Sequence, residues 1–488
     1  MRSSKAIATI FTLLALSLAC VAAPAASASQ TQIDFFEAPQ QLLYTSTRGP
    51  AIQQLEALGV HALRIQLIWG EVAPHPNSRT KPNVNLAQAS SYNWGQYFYL
   101  IQQAQELNWK VLLTVTGNAP CWASACATAH IKHESSSRKL QELVTNPNPV
   151  YYGKFMQAVG REFGGYVKLY SVWNEPNQPQ MLMPQYVGNQ VRSASIYRKL
   201  FLDGYAGLKA SGNFSGMKVL MGETSPYGNR YADIVAPLTF MRDALCLSSS
   251  YQKSRSCGRL PAAGYAQHPY DEQQGPYWVP AAYDGGANDV TMATLGQLAT
   301  ALNKAAAAGA VAANLPIYVT EYGVQSTPSS LGVPVAKQAE YDAIAEQIAW
   351  SDPRVVSFDQ YLLTDEPDPG DGSFQTGLEY VNGRPKPIYN GYRLPLAVTV
   401  QGGSHVAFWG LVRPATASTT VVLQYSSNGG GTWQQLLTAQ TDANGYWTAS
   451  GNFVANRLWR VQWTSAAGTV YDGAPTRAYV PGSSKPAS

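Results

Sequence analysis

The sequence predicts an α/β fold, a (β/α)8 TIM barrel, followed by a small all-β sandwich domain. Three observations carry this expectation. Between residues 29 and 395, short β-rich apolar runs alternate with amphipathic helical stretches, the pattern of a parallel sheet covered by helices. About eight such units over roughly 250 residues or more is the size of a closed barrel. After Leu396 the helical period stops, and short alternating runs spaced by Gly, Ser and Asn turns take over. A doubly wound open sheet is the competing fold. It would carry a Gly-rich phosphate loop, and none of the form G-x-G-x-x-G or G-x-x-x-x-G-K occurs.

The elements follow in order. Residues 1–28 read as a secretory signal: Arg2 and Lys5 form a positive end, Ile7 to Leu18 is apolar but short, and Ala26-Ser27-Ala28 is a small-residue cleavage site. Cys20 reads as an ordinary cysteine lost with that signal. Ile33 to Phe36 opens the strands. Ile52, Leu55 and Leu58 mark a helix that Gly59 ends. Strand 60–68 follows, then a helix face of Tyr97, Ile101, Ala104 and Leu107, and strand 110–115. Helix 151–163 leads to strand 166–173, helix 196–208 to strand 217–221, and helix 232–247 to a short strand at 264–266. Leu295, Leu298 and Leu302 mark a helix before strand 316–320. Tyr341, Ile344 and Ile348 mark another before strand 355–363. Residues 396–480 form the sandwich, expected to brace the barrel or to touch carbohydrate weakly. The Ser/Pro-rich tail 481–488 is expected to be disordered.

Composition narrows the function classes. Charged residues are 13%, against roughly 25% in an average soluble protein, and the chain is rich in Tyr (29) and Trp (12). This balance suits a secreted monomer with a polar, uncharged surface, extracellular or associated with a cell wall. The formal charge is +4; without Arg2 and Lys5 it is +4 − 2 = +2. No basic patch argues for nucleic acid, and no later segment is long and apolar enough to span a membrane. Beyond Cys20 stand four cysteines in two local pairs, which suggests the disulfides Cys121–Cys126 and Cys246–Cys257, although three pairings are open. A zinc site fits the spacing poorly, and no cofactor or metal is expected.

In a barrel, the residue after each strand stands at the catalytic face. Read that way, the fourth strand delivers Asn174 and Glu175, and the seventh delivers Glu321, 321 − 175 = 146 residues later. Two carboxyl groups would then share one pocket, with Arg64 and Trp69 from the second strand, His268 and Tyr270 from the sixth, and Tyr361 from the eighth. Acetal hydrolysis needs such a pair: one carboxyl donates a proton to the departing oxygen, and the other attacks the anomeric carbon or activates water. Trp69 and Trp122 are candidate sugar-stacking surfaces. Glu223, after the fifth strand, reads as a structural hydrogen-bond acceptor.

Trp173-Asn174-Glu175-Pro176-Asn177, followed by Tyr318-Val319-Thr320-Glu321-Tyr322-Gly323, resembles the retaining glycoside hydrolases of the large (β/α)8 clan, nearest to families 5 and 39. The resemblance spans most of residues 30–395. It implies Glu175 as acid/base, Glu321 as nucleophile, and Asn174 as a partner of the sugar 2-hydroxyl. It also implies that His268 and Tyr270 line the pocket and that Arg64 touches the nucleophile. The chain departs from many clan members in having no Trp after the eighth strand, where Tyr361 or Phe374 is the available replacement. The rival readings are a polysaccharide-binding protein on an inactive barrel and a metal-dependent barrel enzyme.

Overall fold

The computed structural model describes residues 31–128, 141–281, 286–368 and 373–487. The signal segment expected over 1–28, with Cys20, lies outside the described residues. Eight parallel strands close into a barrel: β1 (Ile33–Glu37), β2 (Ala62–Ile68), β3 (Lys110–Thr116), β4 (Leu169–Val172), β5 (Lys218–Thr224), β6 (Gly264–Gln267), β7 (Ile317–Val319) and β8 (Val355–Tyr361). Each pairs with its sequence neighbours. The seam closes where β1 lies beside β8, from Ile33 next to Ser357 to Glu37 next to Tyr361.

The period-2 alternation of strands sorts the barrel interior into layers. Phe35, Ala62, Leu112, Leu220, Ala266 and Tyr318 pack together as an apolar plug. Two residues further along the same strands stand Glu37, Arg64 and Thr114, so a polar layer lies directly above the plug toward the strands' carboxyl ends. On β5 the alternation breaks. The register against β6 shifts between Gly222 and Thr224, and Glu223 takes a left-handed φ of 48°. This bulge brings Glu223 into the interior network. Gly222 is required beside it: its φ is 107°, and a Cβ there would collide with the carbonyl oxygen of Ala266.

The C-terminal part is two antiparallel-based sheets. The first is ordered β13-β10-β9-β16 and the second β12-β11-β14-β15, from β9 (Leu396–Val400), β10 (His405–Leu411), β11 (Thr420–Ser426), β12 (Gln434–Gln440), β13 (Tyr446–Asn452), β14 (Leu458–Thr464), β15 (Val470–Asp472) and β16 (Ala478–Tyr479). Between them Phe408, Leu423, Trp447, Trp459 and Val461 form a core of their own. Residues of the tail expected to be disordered make contacts: the Ala487 N–H donates to the Ala478 carbonyl, and the Tyr341 hydroxyl donates to the carbonyl of Ser484 at 2.8 Å. Both short-range cysteine pairs, Cys121–Cys126 and Cys246–Cys257, are disulfides. Among the described residues no helix is long and apolar enough to cross a membrane.

The sandwich reaches the barrel through charge as well as through aromatic packing, with Trp350 against Trp409 and Tyr446. Arg413, on the connection after β10, donates to Glu346 Oε1 at 2.7 Å and to the Tyr392 carbonyl at 2.8 Å, and lies 3.7 Å from Asp34. Burial pushes Glu346 up to about 8 and Asp342 up to about 7, against the pull of Arg413. One guanidinium thus serves three buried acids. Arg413→Met is expected to cost about 3–5 kcal/mol in urea unfolding at pH 8, because a broken buried pair leaves uncompensated charge. The cost should shrink toward pH 5, where Glu346 and Asp342, with raised folded values, are protonated and carry no charge to compensate.

Candidate active site

Side chains from strand ends β1 to β7 meet at the carboxyl end of the barrel, with Arg64 at their centre. Its Nη1 donates to Glu37 and, at 2.8 Å, to Glu321 Oε2. Its Nη2 donates to Asn174 Oδ1 at 2.6 Å and to Glu223 Oε2 at 2.9 Å. The Arg64 side chain has no exposed surface. Thr114 on β3 donates to the other oxygen of Glu223 at 2.7 Å, so Glu223 is an internal acceptor, as expected.

The turn after β4 is built around a buried peg. Trp173 takes a φ of 66°, its indole N–H donates to the Met181 carbonyl at 3.0 Å, and its ring fills the space a side chain at position 117 would need. Glycine at 117 is what admits it. The next residues are tied from both sides. The Asn174 N–H donates to Thr116 Oγ1 at 3.0 Å, and the Glu175 N–H donates to the Glu223 carbonyl at 2.9 Å. Glu175 itself has a φ of 38°. Backbone held in this region costs of order 1–3 kcal/mol per residue and persists only where the surroundings fix it. With Asn174 Oδ1 on Arg64, its amide –NH2 is the end left for a ligand.

Glu175 and Glu321 converge with His268. One oxygen of each carboxyl group and one ring nitrogen of His268 all lie within 4.8 Å of one another. His268 Nδ1 is 3.1 Å from Glu175 Oε1 and 3.7 Å from Glu321 Oε2. Glu321 receives donors on both oxygens: Arg64 on Oε2, and the Tyr270 hydroxyl on Oε1 at 2.8 Å. Glu175 faces no such pair. Burial pushes it up to about 7, with Arg64 pulling back and Glu223 adding to the rise. Burial also pulls His268 down to about 4, so the ring is neutral at pH 7, and its Nε2 has no hydrogen-bond partner. The two acids therefore sit in contrasting surroundings, one beside a neutral imidazole and the other against a guanidinium and a phenol. The same three residues could hold a cation, but Glu321 already accepts from Arg64, whose positive charge opposes a second cation there.

Two further acids join the polar layer, and both lie outside the expected set. Glu37 is buried at the end of β1, where Gln66 donates to its Oε1 at 2.9 Å. Burial raises it to about 7, with Arg64 opposing and Glu321 adding to the rise. Asp359 on β8 stands well above the carboxylate range for the same reason, with neither oxygen bonded. The signal for Glu37 was present in the alternation: it follows Phe35 on one face of β1.

Aromatic side chains wall the Glu321 side. Phe374 packs edge-on to Tyr361 at 5.0 Å and against Tyr270 at 5.9 Å. Its position is fixed by the Phe374 N–H donating to Glu366 Oε2 at 2.7 Å, while the neighbouring Asp365 pairs with buried Lys386 at 2.5 Å. Both residues named as replacements for the missing Trp therefore stand together.

The expectation for Trp69 is corrected. It is fully buried, stacked on Phe155 at 5.5 Å and edge-on to Trp122 at 5.9 Å, so it offers no face to a sugar. The short helix Trp69–Val72 turns it into the packing between barrel and helices. Trp122 is 4% exposed and donates from its indole N–H to the Pro74 carbonyl. It lines a separate hollow of about 440 Å³ with Tyr151, Arg192 and Lys199, none of them bonded to the two carboxyl groups.

No family model matches the sequence, and no curated protein matches it. Solved structures do. A glucosidase from Croceicoccus marinus is 9% identical, with 89% of this chain and 96% of that chain covered and a TM-score of 0.50. A family 1 β-glucosidase from Thermotoga maritima is 14% identical over 68% of this chain and 80% of that one, with a TM-score of 0.39. A GH113 β-1,4-mannanase is 10% identical over 72% and 94%, with a TM-score of 0.37. At these identities the first likeness speaks for the fold alone, and the lower scores add nothing to it.

Proposed function

We propose that the protein is a secreted, retaining glycoside hydrolase that cleaves O-glycosidic bonds in an oligo- or polysaccharide. One observation carries the reading. Two carboxyl groups from the ends of β4 and β7 bring oxygens within 4.8 Å, one raised to about 7 and the other facing Arg64 and Tyr270. That approach suits the separation of about 5–5.5 Å used for double displacement better than the 6.5–9.5 Å used for inversion. The resemblance to families 5 and 39 points the same way, and the two disulfides fit an extracellular protein.

In this reading a Glu321 oxygen attacks the anomeric carbon as the bond to the leaving oxygen breaks, and Glu175 gives that oxygen its proton. Water then attacks the glycosyl ester, Glu175 takes its proton, and Glu321 departs as a carboxylate. The Asn174 –NH2 meets the 2-hydroxyl, and His268 keeps Glu175 in place without competing as a charged acid at pH 7. Phe374 and Tyr361 give the sugar its apolar wall.

The test is a panel of aryl glycosides and polysaccharides with the first-formed anomer read by proton NMR. Retention on at least one substrate is expected, and kcat/KM should fall as pH rises through about 7, where Glu175 loses its proton. In kcat/KM, Glu175→Gln should cost about 10²–10⁴-fold on substrates with poor leaving groups and far less on aryl glycosides whose leaving group needs no proton, while kcat on the latter still falls because the attacking water has lost its base. Binding without release of reducing ends, across the panel, would return the protein to the class of non-catalytic polysaccharide binders. Activity that a chelator abolishes would favour the metal reading.

A further inference from the structure

We propose that Glu37 is a positioning residue for this same reaction, sharing one guanidinium nitrogen with Glu321 so that the proton on Glu37 decides how far Arg64 serves the nucleophile. The inference rests on the function proposed above and concerns a residue to which neither the resemblance nor the motif reading gave a role.

The geometry is specific. Nη1 of Arg64 carries two hydrogens, and it donates one to Glu37 and one to Glu321 Oε2. Nη2 is fully used by Asn174 and Glu223. Among the described residues no other cation is bonded to any of these acids. Glu37 is fixed on its other oxygen by Gln66, and its backbone carbonyl accepts from the Leu362 N–H at 2.9 Å, so it cannot turn away from Arg64. It is 2% exposed, which keeps it from meeting substrate directly.

The groups facing Glu37 are Arg64 and Gln66 from β2, Glu321 from β7, and Asp359 and Tyr361 from β8. Arg64 is the one positive charge among them. With Glu37 protonated, Nη1 places its charge on Glu321. With Glu37 ionised, a second anion draws on the same nitrogen and repels Glu321 across it. Burial has raised Glu37 to about 7, so the exchange falls in the working pH range. The sign follows: below about 7 Arg64 serves Glu321, and above it that hold weakens.

The test has two arms. In the first, kcat/KM is followed against pH for the wild type and Glu37→Gln, which keeps the shape and a hydrogen-bonding oxygen. The wild-type alkaline limb should carry two ionisations, Glu175 and Glu37, and so fall more steeply near pH 7 than a single ionisation allows, whereas the variant's limb should follow the one ionisation of Glu175. A purely structural role would lower activity by the same factor at every pH, and an alkaline limb of unchanged shape would overturn the proposal. In the second arm, carboxyl ¹³C NMR titrates Glu37 in the wild type and in Glu321→Gln, using Glu37→Gln to assign the signal. Removing the neighbouring charge should lower the Glu37 midpoint by about one pH unit or more. An unmoved midpoint would overturn the coupling. This arm needs no substrate, so it still judges the pair if the wild type hydrolyses nothing on the panel and the functional reading falls by itself.

Discussion

Glu321→Gln is expected to lower kcat by at least about 10³-fold on every glycoside the wild type cleaves, while the protein still unfolds within about 1 kcal/mol of the wild type. The amide has the same size and can still accept the Tyr270 hydrogen bond, so the packing persists. What it lacks is the negative charge and the nucleophilic oxygen that must bond the anomeric carbon. Stability should hardly suffer because Arg64 keeps Glu37 and Glu223 as anionic partners in an already crowded set of acids. Circular dichroism and urea unfolding beside the rate measurement separate the two effects. Near-wild-type turnover in this variant would remove Glu321 from the chemistry.

Arg64→Met should do the opposite and damage both properties. A fully buried guanidinium with four acceptors would be replaced by a thioether, leaving Glu37, Glu223 and Glu321 to face one another. Breaking a buried pair costs about 3–5 kcal/mol, and the loss read by urea unfolding should be greatest at alkaline pH. At low pH Glu37, which burial raises to about 7, is protonated in the folded state, so less charge is left without compensation. Arg64→Lys restores the charge but delivers it as a point on a flexible stem rather than as two forked nitrogens. It should recover part of the stability and little of the activity. If Arg64→Lys matched the wild type in kcat/KM, the two-nitrogen geometry would be irrelevant to catalysis.

The repeating strand–helix pattern was legible because most barrel strands are short, largely apolar runs separated by stretches with apolar residues at helical spacing. Glu175 and Glu321 were legible for the same reason: each follows a strand directly, and position after a strand fixes position in a barrel. The cysteine pairs were legible because each spans a short loop. Other features required the third dimension. Glu223 reaches the interior through a bulge at Gly222 that strict alternation does not foresee. Glu37 shares a strand face with Phe35, but it lies one position past the apolar run that ends at Phe36, and only the fold brings it to Arg64. Trp69 looks like a pocket aromatic from its place after β2, yet a single turn of helix sends it into the core. The Arg413 strut joins residues 67 positions apart to Glu346 and further still to Asp34, a pairing that no local pattern announces.

The central claim is that two acids from separate strands act as one pair, with Glu321 bonding the sugar. It is tested most directly by peptide mass mapping after the enzyme is quenched with a slow 2-fluoro aryl glycoside of whichever sugar it cleaves. The account predicts a single glycosyl adduct on the peptide carrying Glu321, absent from Glu321→Gln. An adduct on Glu175 or Glu223, or no adduct together with an inverted first product, would contradict it.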